Sequence, residues 1–288
     1  MKILVLGGTG TVGSQVVNEL LARKMDVCVL TRSSHHAEQL PKGAVSVIGD
    51  LLDPNTIRSV FNDADGVFLL NAVSPTETHE GLMAVNGARM AGVKRIVYLS
   101  VPDMEKASHL PHFGSKMAIE HVIKASGIAY TILRPNNFFQ NDYWFKEALM
   151  VYGVYPQPIG DIGLARVDVR DIAEAAVLSF LKSETEGQTY TLAGPDALTG
   201  KTTAEAWSRA LGKPILYMGN DLDAWEKQML EYLPPWMVFD FGLMYDYFQK
   251  KGLKAQPEDI DRQDKLLGHA PRFYEDFVKE TALMWKNG

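Results

Sequence analysis

The segment that decides the fold is Lys2-Ile3-Leu4-Val5-Leu6-Gly7-Gly8-Thr9-Gly10-Thr11-Val12-Gly13-Ser14-Gln15-Val16-Val17-Asn18-Glu19-Leu20-Leu21. It opens on a short apolar run rich in β-branched residues, the pattern of a buried strand. Three glycines, Gly7, Gly10 and Gly13, then follow at GxxGxxG spacing. Beyond them Val12, Val16, Val17, Leu20 and Leu21 recur at helical spacing, so the segment reads as strand, glycine turn, helix. Such a turn requires backbone angles that side chains disfavour, and glycine supplies them. The helix then points its first amides and its positive dipole end at whatever lies over the turn, which suits the pyrophosphate of a dinucleotide. Three glycines alone are a weak signal. Preceded by a strand and followed by a helix, they meet the context such a site demands, and Thr9, Thr11 and Val12 join them as candidate cofactor contacts. The competing reading is a glycine-rich turn that binds nothing.

Outward from this unit the grammar repeats. Apolar runs at 3–6, 27–30, 45–48, 66–70, 95–100 and 130–133 alternate with helical stretches at 12–23, 35–39, 54–61, 78–91 and 111–125. Strands alternating with crossover helices predict an α/β fold, a doubly wound parallel sheet of Rossmann type. Each run is nearly continuous in apolar residues, so every strand is expected to be covered on both faces. After Arg134 the pattern changes to amide-, aromatic- and proline-rich sequence, then to helical segments carrying Trp207, Trp225, Trp236 and Trp285. Residues 1–134 are assigned to a dinucleotide-binding domain, to which 164–195 return with a helix at 171–181 and a strand at 188–192. Residues 135–163 and 196–288 are assigned to a smaller, mainly helical substrate-binding cap. Asp171 is read as the N-cap of its helix.

Composition narrows the function classes. The 288 residues are 46% hydrophobic and 22% charged, with net charge −6. That balance disfavours nucleic acid as the principal partner, because phosphate-backbone binding needs clustered cations. The single Cys28 excludes an internal disulfide and a cysteine-based metal site. No apolar stretch reaches the ~20 residues of a membrane span, and the first strand is too short for a secretion signal. A cytoplasmic protein, monomeric or homodimeric, is the expectation. The adjacent His35 and His36 point in different directions on a helix, no HxxxH or cysteine cluster exists elsewhere, and no metal is predicted.

The end of the second strand bears on which dinucleotide binds. Sites for NADH place a carboxylate there for the ribose 2′-hydroxyl. This chain has Leu30-Thr31-Arg32-Ser33-Ser34, and Arg32 can pair bidentately with a 2′-phosphate while Ser33 adds a hydroxyl. The expected cofactor is therefore NADP(H), the alternative being that Arg32 is a solvated loop cation. After the third strand, Asp50 is placed to accept from the adenine amino group and Leu51 to pack on the ring, whereas Asp53 caps the next helix. Asn71 and Ala72, after the fourth strand, are expected on the ribose and nicotinamide side.

These residues resemble the NmrA-like branch of the atypical short-chain dehydrogenases. The resemblance rests on GGTGTVG at 7–13, TRSS at 31–34, GDLLD at 49–53 and His112-Phe113-Gly114-Ser115-Lys116 leading into Glu120. It continues through the segment from Ser126 to Phe138 and the closing Leu267-Gly268-His269-Ala270-Pro271-Arg272, so it covers essentially the whole chain. Within the family the chain is similar to bacterial NAD(P)H-dependent quinone, azo-dye and triphenylmethane reductases. The resemblance implies that Lys116 holds the nicotinamide ribose hydroxyls, and it adds Ser100 and Pro135 to the cofactor set. One departure stands out: the residue four before Lys116 is His112, where short-chain dehydrogenases carry the tyrosine that acts as general acid. His112 is a candidate proton donor in its place, or else a helix-start histidine with no chemistry. Quinones and cationic dyes carry their own electron sink and need little acid catalysis, so hydride transfer from NADPH to such an aromatic, electron-poor acceptor is the expected reaction. Asn136, Asn137, Phe138 and Tyr143 are candidate acceptor contacts, and Trp144 is assigned to the cap's core. A non-catalytic NADP(H)-sensing regulator, of which the family has members, is the alternative from another class. A nucleotide-sugar epimerase is disfavoured by the missing tyrosine.

Overall fold

Because their side chains alternate between two apolar environments, the short runs read above zip into one sheet rather than into hairpins. The computed structural model describes residues 1–287. It contains β1 (Lys2–Leu6), α1 (Thr11–Ala22), β2 (Asp26–Thr31), α2 (Ser34–Glu38), β3 (Ala44–Ile48), α3 (Pro54–Ser59), β4 (Gly66–Leu69), α4 (Glu77–Met90), β5 (Arg95–Leu99), α5 (Pro111–Ala125) and β6 (Ala129–Pro135). There follow β7 (Val154–Tyr155), α6 (Val169–Leu181), β8 (Gln188–Leu192), α7 (Gly200–Leu211), β9 (Leu216–Tyr217), α8 (Leu222–Met229), α9 (Pro235–Lys251), α10 (Pro257–Leu267) and α11 (Tyr274–Asn287). The chain divides into two compact units. One comprises Met1–Pro135, Val169–Leu192 and Arg262–His269; the other comprises Asn136–Asp168, Ala193–Asp261 and Ala270–Gly288.

In the first unit seven strands form one sheet in the order β3-β2-β1-β4-β5-β6-β8. All pairings are parallel, with Ile3 opposite Val27 and Gly66, and Val97 opposite Phe68 and Thr131. The order reverses between β1 and β4, and this switch point is where open α/β sheets bind ligands at the carboxyl ends of their strands. On one face α1 packs against α6, while on the other α4 lies between α3 and α5. Leu4, Leu6, Tyr98 and Ile132 from the strands meet Phe61, Val85, Ile119 and Ile123 there, all essentially inaccessible to water. The buried Arg95 guanidinium closes the far end of this unit, donating to Ser179 O, Thr131 Oγ1 and Thr185 Oγ1.

Two expectations about this unit are corrected. The third strand is not covered on both faces: Val45 and Ile48 are exposed on β3, because it is the edge strand and α2 is too short to cover it. Nor does Asp171 cap its helix. α6 begins at Val169, so Asp171 sits inside the first turn, fully buried.

The second unit is built on helices with one small parallel ribbon, β7 beside β9. Trp207 of α7 and Trp285 of α11 stack with centroids 4.9 Å apart. Inside lies an ion pair at zero exposure, Arg166 Nη2 to Asp142 Oδ1 at 2.8 Å. Asp142 also accepts from Trp207 Nε1 at 3.0 Å and from the hydroxyls of Tyr155 and Tyr274. Burial drives the Tyr155 and Tyr274 phenols well above their usual range, with the Asp142 charge pushing the same way. They remain donors to the carboxylate. An unpartnered charge at this depth would cost several kcal/mol, roughly 3–5 for one lost partner. Trp144 does not belong to this core: it is 70% exposed, while its neighbour Tyr143, itself partly exposed, lays its ring against Phe277 and Trp285.

Candidate functional site

The candidate site in the first unit grows from the turn between β1 and α1. Gly7 adopts φ +72°, a left-handed conformation that strains any residue with a Cβ. Gly13 is required for a different reason, since a Cβ there would lie 2.1 Å from Gly7 O. The helix thus sits directly against the turn. Gly10 differs from both: a Cβ would meet nothing nearer than Gly7 O at 3.4 Å, so the protein's own packing does not demand glycine. What glycine leaves open at that position is the approach to the helix terminus. α1 has no side-chain cap and no acidic residue in its first turn, so its leading amides have no side-chain acceptor. Gly7, Thr9, Gly10 and Thr11 are exposed around that terminus, while Val12 and Gly13 are buried beneath it. A diphosphate is complementary to this arrangement in charge and in hydrogen bonding.

Around the turn stand the other residues picked from sequence. Arg32, at the end of β2, is exposed, and its side chain pairs with no other described residue. Ser33 precedes α2, and its side chain makes no capping bond. At the end of β3 the carboxylate of Asp50 accepts Leu52 N at 2.9 Å, while Leu51 packs partly buried on the sheet's apolar core. Asp53 caps α3, accepting from Asn55 N at 3.0 Å and Thr56 N at 3.3 Å, as expected. These bonds, the Asn55 amide first, hold its carboxyl below the usual carboxylate range. After β4, Asn71 is 4% exposed, yet neither Oδ1 nor Nδ2 bonds to a described residue. A buried amide with both ends unsatisfied costs free energy unless a ligand completes it. The neighbouring Ala72 is exposed. Ser100 is buried beyond β5, its N–H donating to Leu133 O at 2.7 Å, and Pro135 ends β6.

The helix α5 carries His112 and Lys116 inward. His112 is 7% exposed and meets the Phe113 ring edge-on at 4.7 Å. Lys116 Nζ donates to Glu77 Oε1 at 2.6 Å and lies 6.0 Å from the centre of the Tyr98 ring. Glu77 escaped the sequence reading. As the first residue of α4 it looks like an ordinary acidic helix start, and nothing local ties it to a lysine 39 positions away. Tyr98 was also missed. Burial, then the charges of Glu77 and Glu120, push its phenol well above the usual tyrosine range. Its hydroxyl is buried and bonds to no described residue.

The candidate acceptor residues all lie in the second unit. Asn136 Nδ2 donates to Leu253 O at 2.7 Å, and its Oδ1 accepts from Asn137 N at 2.8 Å. Asn137 Oδ1 accepts from Arg166 Nε at 3.0 Å. Both amides therefore help to build this unit. Phe138 is half-buried, bridging Val167 through its backbone, and Tyr143 keeps 40% of its surface exposed. Among the described residues, Asp171, Glu174 and His269 form the group with metal-ligand spacing. There His269 Nε2 and Glu174 Oε2 are 2.6 Å apart, a bond that ties the closing segment to α6.

Comparison with known proteins adds a family and relatives. The NmrA-like family matches residues 1–270. An NAD(P)H azoreductase of Xenophilus azovorans is 29% identical, with 97% of this chain and 98% of that protein aligned. The crystal structure of the Escherichia coli NADPH-dependent quinone oxidoreductase QOR2, complexed with NADPH, superposes with TM-score 0.85 at 24% identity, covering 97% of this chain and 99% of that one. NmrA, a negative transcriptional regulator solved with NADP, superposes with TM-score 0.81 at 19% identity over 99% of this chain and 96% of its own. No described helix is long and apolar enough to cross a membrane.

Proposed function

The chain belongs to the NmrA-like family, and we propose that it is an NADPH-dependent reductase that passes hydride to a planar, electron-poor acceptor such as a quinone or azo dye. The observation that carries the proposal is the uncapped, carboxylate-free N-terminus of α1 under a turn left open at Gly10. Exposed Arg32 and the unsatisfied amide of Asn71 support it from either side of the switch point. The azoreductase relative supports the choice of acceptor class.

In this reading the first amides of α1 bind the diphosphate and Arg32 pairs with the 2′-phosphate, a charge no carboxylate on this loop opposes. Asp50 and Leu51 hold the adenine edge and face. Asn71 donates to and accepts from the ribose–nicotinamide half, together with Ala72, Ser100 and Pro135. Lys116 donates to the ribose hydroxyls. The bound cofactor supplies hydride. His112, one turn before Lys116, delivers the proton that completes reduction of the acceptor oxygen or nitrogen. Phe138 and Tyr143 offer aromatic surface to the acceptor, with Asn136 and Asn137 setting the backbone that carries them.

The decisive experiment follows NADPH oxidation by stopped flow against benzoquinones, azo dyes and triphenylmethane dyes. Turnover with at least one class, faster with NADPH than with NADH, is expected. Tight NADPH binding with no oxidation across the whole panel would reject the reductase. It would favour the second reading, an NADP(H)-sensing regulator, which the likeness to NmrA and the missing tyrosine support.

A further inference from the structure

We infer that Glu77 is a positioning residue for the dinucleotide, acting through Lys116 by holding its ammonium in one charged, directed state. The inference rests on the reading that Lys116 touches the cofactor. Lys116 sits on α5 with 7% of its side chain exposed, and Glu77, at 1%, opens α4. Their Nζ–Oε1 separation of 2.6 Å makes a charge-assisted bond across two helices. A lysine side chain has a flexible four-carbon stem and three rotatable donors, so by itself it is a poorly directed cation. Burial alone would also disfavour its charge. Glu77 answers both problems. It supplies the counter-charge, and by taking one N–H it fixes where the other two point. The carboxylate is itself favoured where it stands, in the first turn of α4 at the positive end of the helix dipole.

The pair is not what holds the two helices together. One turn beyond Glu77, Gly81 lets α4 close on α5 so tightly that a Cβ there would lie 2.4 Å from Ile119 Cδ1. That apolar contact, one turn beyond Lys116, already fixes the helix–helix approach. Buried ion pairs are seldom more stabilising than apolar replacements of the same shape, so a pair placed beside a good apolar contact is there to place a charge. Its location agrees. α4 is entered from the connection after β4 that contains Asn71, whose buried amide bonds to no described residue. With one N–H engaged by the Glu77 carboxylate, Lys116 Nζ has its remaining donors left for a ligand.

The test is a double-mutant cycle read as NADPH affinity by fluorescence titration, on wild type, Glu77→Gln, Lys116→Met and the double variant. Glu77→Gln is expected to weaken NADPH by about tenfold, Lys116→Met by at least as much, and the double variant no more than Lys116→Met alone. Glu77→Asp should recover part of the loss. An equal loss from Glu77→Gln in the Lys116→Met background would show a packing role and overturn the inference. So would unchanged affinity in Glu77→Gln itself. If Glu77→Gln does not fold, Glu77→Asp in both backgrounds decides by the same criterion. Wild-type affinity in Lys116→Met would instead sink the assignment of Lys116 and the inference with it. Absence of turnover in wild type rejects the reductase and leaves this binding cycle fully informative.

Discussion

Replacing Gly10 and Gly13 separately by alanine should divide ligand binding from folding. At Gly13 the new methyl would lie 2.1 Å from Gly7 O, 2.7 Å from Gly7 C and 2.8 Å from Gly8 Cα, all backbone atoms that cannot swing aside. The helix must retreat by more than an ångström, which places the cost near the upper end of overpacking, about 3 kcal/mol. For a chain of this length that lowers the melting temperature by roughly 6–10 °C. At Gly10 the backbone lies at φ −87°, ψ 177°, where alanine is at ease, and the nearest atom is 3.4 Å away. The unfolded chain loses freedom worth about 0.4–1 kcal/mol, while alanine is a poorer N-cap than glycine by a similar amount. Apo stability should therefore stay within about 0.5 kcal/mol of wild type. NADPH affinity should not, because the methyl stands over the leading amides of α1. Losing one or two bonds to a charged group, each worth about 1.5–3 kcal/mol, weakens NADPH by at least about tenfold. Calorimetry of the apo proteins and fluorescence titration with NADPH read the two effects. A Gly10→Ala protein that binds NADPH within twofold of wild type would refute the phosphate cradle. A Gly13→Ala protein as stable as wild type would refute the packing that places it.

Three further outcomes follow from the same structure. Arg32→Ala should leave the melting temperature unchanged, since the side chain pairs with nothing described, and should weaken NADPH by about tenfold or more while sparing NADH. Equal losses for the two cofactors in isothermal titration would contradict the 2′-phosphate assignment. Asp142→Ala strands the Arg166 guanidinium at zero exposure and should cost about 3–5 kcal/mol, read as an earlier urea midpoint at constant slope. A change below about 1 kcal/mol would mean that the pair is relieved by water. For acid stability, burial raises the Glu120 carboxyl, but hydrogen bonds from Arg134 at 2.9 Å, and its charge, outweigh that and leave it below its ordinary 4.5. A depressed carboxyl contributes its stability in full above the ordinary value and loses it as pH falls through the folded one. Urea midpoints should therefore fall as pH drops below 4.5 in wild type, and Glu120→Gln should flatten that fall. A parallel decline in both proteins would show that other carboxyls dominate.

Much of the first unit was legible before any coordinates. Its strands are short and apolar, its helices keep a 3.6-residue stripe, and the GxxGxxG turn joins a strand to a helix, all properties of neighbours in the chain. The Asp53 cap was legible for the same reason: its partners, Asn55 and Thr56, lie within one turn. Reading failed where the outcome depended on distant residues. Val45 and Ile48 look like covered positions, yet no helix reaches the edge strand they occupy. Trp144 is as apolar as a core residue, but the short helix at Phe139–Phe145 buries Phe139, Gln140 and Asp142 and leaves Trp144 in water. Asp171 has the preference of a cap, yet its helix starts two residues sooner.

The glycine turn shows where the division falls. Sequence alone determined that the chain opens with strand, turn and helix, that the turn carries its glycines at GxxGxxG spacing, and that Arg32 follows the second strand, because spacing along the chain decides each. Only the tertiary structure decided that Gly13 serves packing while Gly10 leaves an approach open, that Asn71 is buried with its amide unsatisfied, and that Lys116 is held by Glu77. Each of those depends on atoms brought within a few ångströms from elements far apart in the chain. Their contact energies exist only after the sheet and its covering helices have set the distances.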